Sequence, residues 1–179
     1  MSKALKIYDR IIKKDLVNKN RYKKEIELPS LIKITLHMGC KTQDFKIISK
    51  SVFILEMLSG QRAELTVSKK QNLFFKTKKH SVSGALVVLK KEKMRAFYSY
   101  LVTEVFPKIK KPALNFSKTE SKSLTWTISG EDFTSFEEID FNSNILRGLP
   151  DLNVSFIFNK NASTKEQKLL LELLNFQLI

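Results

Sequence analysis

Three segments of this chain alternate apolar and polar residues with a period of two. Ile32, Ile34, Leu36 and Met38 interleave with Lys33, Thr35 and His37; Leu124, Trp126 and Ile128 interleave with Thr125 and Thr127; Leu152, Val154, Phe156 and Phe158 interleave with Asn153 and Ser155. Successive side chains of a strand point to opposite faces, so each segment predicts a strand with one dry and one wet face. Fully parallel sheets bury both faces and need near-continuous apolar strands. The alternation therefore selects an antiparallel or mixed sheet with one face left open.

The rest of the pattern supplies what covers the dry face. Leu5, Tyr8, Ile12 and Leu16 share one helical face and predict a helix over 3–16. Ile48, Val52, Leu55 and Leu58 predict a helix over 45–58, with Gly60 where a helix C-terminus favours glycine. Met94, Phe97, Tyr98, Leu101, Val102 and Val105 predict an amphipathic helix closed by Pro107, and residues 107–122 read as irregular and Lys-rich. Short strands are expected at 63–67 and 84–90. A last helix starts at Ser163, with Glu166 three residues on as a capping box, and runs to Phe176. The expectation is an α+β fold: a mixed or antiparallel sheet backed by helices on one side, forming one domain over residues 1–179, with the core at 30–179 and a projecting loop at 67–83.

That loop is the most unusual stretch. Between Gln61 and Arg95 stand ten Lys or Arg against two acids, Glu64 and Glu92. Within it, Lys69 and Lys70 lead to Leu73, Phe74 and Phe75, then to Lys76, Lys78, Lys79 and His80. Like charges repel and stay hydrated, so such a run orders only against something negative. Phosphate backbones supply that charge, and Phe rings stack on bases. The plain alternative is a solvated Lys loop with an anchored Phe pair. The whole chain favours the polyanion: its formal net charge is +14, an imbalance that works against folding through self-repulsion. Charge is also uneven. Residues 123–151 hold six acids (Glu131, Asp132, Glu137, Glu138, Asp140 and Asp151) against Arg147 alone, so a different partner is expected at that edge. On the polar face of the first strand, Lys33, Thr35 and His37 could lie on RNA or simply face solvent.

Other chemistries find little support. The single cysteine, Cys40, allows no internal disulfide. No apolar run approaches the ~20 residues of a membrane span, and no signal-peptide core is expected at the N-terminus, where Asp9 and Asp15 argue against a typical cleaved transit peptide while the Lys/Arg richness leaves one open. There is no Gly-rich phosphate loop and no nucleophile elbow. His37, Cys40 and His80 are too scattered for a structural zinc site. Glu137, Glu138 and Asp140 are close enough in sequence to hold Mg²⁺ as in a nuclease, but acids on a solvated loop are usually only that. No enzyme, cofactor, metal or small-molecule substrate is expected. A free RNA-binding or chaperone module is one function that fits these features.

Read in order, KITLHMGCK (33–41), LEMLSGQRAELTVSKK (55–70) and IDFNSNILRGLPDLNVSF (139–156) resemble the universal large-subunit ribosomal protein number five, of bacterial or organellar type. The resemblance runs nearly end to end. It implies an α+β protein of the central protuberance of the large subunit. The implied partners are large-subunit rRNA, 5S rRNA where the ribosome contains it, P-site tRNA near the loop 67–81, neighbouring ribosomal proteins, and a small-subunit head protein. The resemblance implies RNA contact at the N-terminal region and at the sheet side, on the strand carrying Lys33, Thr35, His37 and Met38; the charge reading adds Arg62, Lys69, Lys70, Lys76, Lys78 and Lys79 to neutralise phosphates, Phe74 or Phe75 to stack or wedge, and His80. It implies an intersubunit contact at Asp132, Glu137, Glu138 and Asp140. This chain departs from the family pattern. The family has Asn where His37 stands, glycines near Phe74 and His80, and a Pro near Val82. NFSKTESKSLTW (115–126) replaces a Gly-rich turn. Such drift points to a mitochondrial ribosome, with a plastid or bacterial cytoplasm as alternatives.

Overall fold

A computed structural model describes residues 13–19, 28–40, 44–71, 78–109, 117–120, 123–137, 139, 148–159 and 164–173. Helix α1 (Lys13–Lys19) precedes strand β1 (Leu31–Gly39) and helix α2 (Phe45–Ser59). Strands β2 (Glu64–Val67) and β3 (Val82–Lys90) form a hairpin, and β3 passes directly into helix α3 (Lys91–Tyr100). Strands β4 (Ser117–Glu120), β5 (Ser123–Ile128) and β6 (Leu152–Phe158) follow, and helix α4 (Thr164–Leu173) comes last.

The strands join in the order β2-β3-β1-β6-β5-β4. β2 pairs antiparallel with β3, and β4 with β5. At the end of β1 the Cys40 N–H donates to Ser83 O near the start of β3 (2.8 Å), and at the end of β6 the Asn159 N–H donates to Ser30 O before β1 (3.0 Å). Ends meeting starts is the antiparallel pattern. The wet–dry alternation is realised from Ile34 onward: Ile34, Leu36 and Met38 are fully buried, as are Leu152, Val154 and Phe156, while Lys33, Thr35 and His37 are half-buried on the other face; Ile32, read as part of the dry face, is exposed at the start of β1. The α+β class read from the sequence is the class observed.

The residues group into two compact units. The first comprises 1–34, 90–126 and 155–179. Its interior is aromatic. Tyr98 of α3 meets Phe156 of β6 edge to face at 6.2 Å, and Phe106 meets Trp126 of β5 at 5.5 Å. Both contacts lie on the dry face, so this helical segment backs the sheet there. Asn159 clasps the incoming chain: its Nδ2 donates to Leu28 O at 2.6 Å and its Oδ1 accepts from the Ser30 N–H at 3.4 Å. The predicted helix over 94–105 is α-helical only to Tyr100. Leu101–Val105 widens to a π turn, with the Phe106 N–H donating to Leu101 O, and Phe106–Lys108 closes as a 3₁₀ turn containing Pro107. The widening places Leu101, Val105 and Phe106 together in the core; an unbroken α-helix would rotate one of them away.

The second unit comprises 35–89 and 127–154. Its helix α2 is defined at both ends. The Asp44 side chain accepts from the Lys46 N–H at 3.0 Å, and Gly60 takes φ 57 while donating to Glu56 O. Ile48, Ile54, Leu55 and Leu58 of α2 are buried, as are Leu36, Met38, Ala85 and Val87 of the strands. Ser51 and Cys40, both buried, lie 3.7 Å apart through Oγ and Sγ. Gly84 lets β3 approach β1: a Cβ there would run into the Met38 carbonyl oxygen. Phe133 and Phe136 fill the region after β5.

Two boundaries differ from the sequence reading. α1 extends one turn past 16, with Leu16 fully buried, while residues 3–12 lie outside the described residues. The stretch read as irregular, 107–122, contains the edge strand β4. Its sequence, SKTE, has no apolar alternation. Its pairing to β5 is a backbone matter, and edge strands are commonly polar.

Candidate nucleic-acid interface

The basic loop is held by its stem. Beyond β2, the Ser68 N–H donates to Ser81 O at 2.9 Å and the His80 N–H donates to Ser68 O at 2.9 Å. The Ser81 N–H closes a tight turn onto Lys78 O at 3.2 Å, and the Ser81 hydroxyl donates to the same carbonyl at 2.6 Å. On the opposite side the Ser68 hydroxyl donates to Lys70 O at 2.7 Å. His80 takes φ 64 in this turn, a backbone region that glycine enters freely and other residues enter at a cost.

The consequence is electrostatic. Lys69, Lys70, Lys78, Lys79 and His80 are all exposed. The stem is fixed by backbone groups and two serine hydroxyls, and none of the four lysine side chains has a hydrogen bond or ion pair among the described residues. Their side chains are left to solvent on the two arms of one stem, as a polyanion site requires. Phe74, Phe75 and Lys76 lie outside the described residues. Arg62 is exposed but sits before β2, beside the flank of α2, and not in the stem.

β1 presents the second part of the expected interface. Lys33, Thr35 and His37 share its wet face. Met38 does not: it is fully buried with Ile34 and Leu36, so its side chain belongs to the core and cannot reach RNA. The His37 ring lies over Gly39, whose added Cβ would come within 3.2 Å of His37 Cε1. Burial lowers the His37 pKa from its ordinary value, so near neutral pH the ring is uncharged and offers one donor and one acceptor. Other wet-face groups were legible only as spacers in the alternation. Thr125 and Ser155 hydroxyls meet at 2.9 Å, and Thr127 donates to Asn153 Oδ1 at 2.8 Å. Ser68 and Ser81 were missed outright. Their signal was a serine on either side of the basic run, each placed to bond a nearby carbonyl.

At the acidic edge, a 3₁₀ turn over Gly130–Ser135 holds Asp132. The Ser129 hydroxyl donates to Asp132 Oδ2 at 2.8 Å, and Glu137 is exposed. Glu138 and Asp140 lie outside the described residues. Among the described residues no three His, Cys, Asp or Glu gather as a metal site would need, and no helix is long and apolar enough to cross a membrane.

No family model matches the chain. Individual curated proteins do. Large ribosomal subunit protein uL5 of Fusobacterium nucleatum is 31% identical over 147 residues, covering 79% of this chain and 78% of that protein. The uL5c protein of Tupiella akineta is 29% identical over 170 residues, 90% of this chain and 92% of its own length. The uL5m protein of Reclinomonas americana is 37% identical over 112 residues, 62% of each. Together with the open sheet and the exposed cationic stem, these relatives define the class: a structural constituent of the large ribosomal subunit. The chain belongs to the uL5 family.

Proposed function

We propose that this protein binds large-subunit rRNA in the central protuberance, and 5S rRNA where its ribosome contains one. The cationic stem and the wet face of β1 are the RNA contacts. The loop beyond the stem reaches toward P-site tRNA, with Phe74 or Phe75 stacking or wedging against RNA. The acidic edge around Asp132, Glu137, Glu138 and Asp140 meets a basic protein of the small-subunit head. The ribosome is mitochondrial. One observation carries the RNA reading: Lys69, Lys70, Lys78 and Lys79 are exposed together on a stem that uses none of their side chains to hold itself.

The mechanism is electrostatic clamping. Each ammonium neutralises a phosphate and releases condensed counterions, so affinity falls steeply as salt rises. Lys33 adds a cation on the sheet face, while Thr35 and neutral His37 offer hydrogen bonds that carry no salt dependence. A tagged copy, sedimented from gently lysed organelles at moderate salt with Mg²⁺, is expected to travel with the large subunit. Ultraviolet cross-linking in that fraction is expected to join the 67–81 segment to ribosomal RNA or tRNA. Cross-links confined to messenger RNA, or migration as free protein, would overturn the proposal in favour of a non-ribosomal RNA-binding module.

A further inference from the structure

Neither the RNA contacts nor the acidic edge uses the flank of α2. A groove of about 510 Å³ opens there, walled by Phe45, Ile48 and Val52 of α2, Leu65 of β2 and Val82 of β3. Phe45 is 79% exposed and Leu65 55%. A Phe at the first position of a helix and a Leu on a strand, both open to water and sharing one concavity, mark an interaction surface better than scattered apolar residues do.

Two further features describe the occupant. Among the described residues β2 is the outermost strand on its side of the sheet and pairs only with β3, so its other edge offers backbone donors and acceptors to an extended chain. Arg62 lines the groove, exposed, with no hydrogen bond or ion pair among the described residues. Glu56, which lines the same groove, is already committed: its Oε1 accepts the Ala63 N–H at 2.9 Å. A free guanidinium set in an apolar groove selects carboxylates. The apolar walls disfavour a phosphate backbone, and the net charge of +14 disfavours a second copy of this chain.

We propose that this groove docks an extended segment of a neighbouring ribosomal protein, in which apolar residues alternate with Asp or Glu. The segment adds to β2 as a further strand. Its apolar side chains rest on Phe45, Val52 and Leu65, and a carboxylate faces Arg62. This site takes Arg62, grouped with the RNA contacts in the sequence reading, for a protein partner; it shares nothing with the stem or the wet face of β1 and stands or falls separately from them.

The test uses the full chain assembled into large subunits, with a photoreactive benzoylphenylalanine at Phe45 or, separately, at Leu65. After irradiation, mass spectrometry of the linked peptide is expected to identify a protein segment of alternating apolar and acidic residues. A cross-link to RNA from both positions, or no cross-link from either, overturns the proposal. A second measurement uses purified full-length protein and a labelled synthetic peptide of alternating Val and Glu, read by fluorescence anisotropy. Leu65→Asp and Arg62→Ala are each expected to weaken binding at least tenfold, and a peptide with Lys in place of Glu should not bind. Leu65→Asp is expected to leave rRNA affinity unchanged, which separates failure of this site from failure of the RNA reading. Peptide binding untouched by both substitutions overturns the proposal.

Discussion

Replacing Lys69, Lys70, Lys78 and Lys79 together with alanine tests the electrostatic clamp most directly. The stem should survive, because Lys70 and Lys78 contribute to it through their carbonyls, which accept from the Ser68 and Ser81 hydroxyls. The expected loss can be worked out from the four exposed ammonium groups. Each phosphate contact contributes ~0.7–0.9 to the slope of log affinity against log salt, so four contribute roughly 3–3.6. Over a fourfold rise in salt, that share alone makes the wild-type affinity fall by roughly 50- to 150-fold more than the variant's. The assay is anisotropy of a labelled central-protuberance rRNA fragment, titrated at several salt concentrations, with circular dichroism to show that the fold is kept. A variant whose affinity drops but whose slope stays that of the wild type would refute the reasoning: the lysines would then act through structure and not through phosphate contact.

Three further outcomes follow from the geometry. Gly84→Ala brings a Cβ into the Met38 carbonyl and is expected to destabilise by about 1–3 kcal/mol or more, since backbone cannot yield as a side-chain tip can; urea unfolding reads this. His80→Gly relieves a left-handed residue at φ 64 and is expected to be neutral or to stabilise by up to ~1 kcal/mol, leaving the stem intact in thermal unfolding. Burial holds His37 below its ordinary 6.5, so the unfolded chain takes up that proton at higher pH than the folded one. The His37 contribution to stability is therefore complete above about 6.5 and lost as pH falls from there toward the lowered folded value. His37→Asn should flatten that portion of the stability–pH profile, and an unchanged profile would remove His37 as its source.

The sheet was readable where burial imposed a pattern and unreadable where it did not. Ile34, Leu36 and Met38 had to alternate because one face is core, and the same holds for Leu124, Trp126 and Ile128 and for Leu152, Val154, Phe156 and Phe158. β4 carries no such pattern, since it is held by backbone pairing at an edge. The π turn after α3 could not be read from periodicity either: an ordinary helix already carries Leu101 and Val105 on one face, and nothing in the spacing shows that Phe106 must share the interior with Trp126. Of the interface, charge located the loop, but not the geometry that fixes it. Met38 was grouped with its RNA-facing neighbours through a family motif, although its parity on β1 already placed it with the core. Asn159, which ties residues 28–30 to the end of β6, had no sequence signal at all, because its partners are backbone groups 129 and 131 residues away.

The stem has a thermodynamic consequence of its own. A fold held together by its lysines, through internal ion pairs, would weaken as salt screened those pairs. Here Lys69, Lys70, Lys78 and Lys79 hold nothing together among the described residues. They lie on the two arms of one hairpin stem in a chain with net charge +14, so repulsion among like charges acts against the folded state. Salt should therefore stabilise this protein even as it releases the RNA. Raising salt from low to moderate concentration is expected to increase the melting temperature of the free protein, and the gain should shrink in the four-lysine variant. The same sign follows for rRNA: by neutralising the stem, and by binding only the folded state, it should raise the melting temperature further. A free protein that melts lower as salt rises would mean that attractive ion pairs dominate, and the lysines would then no longer be a reserve kept for a polyanion.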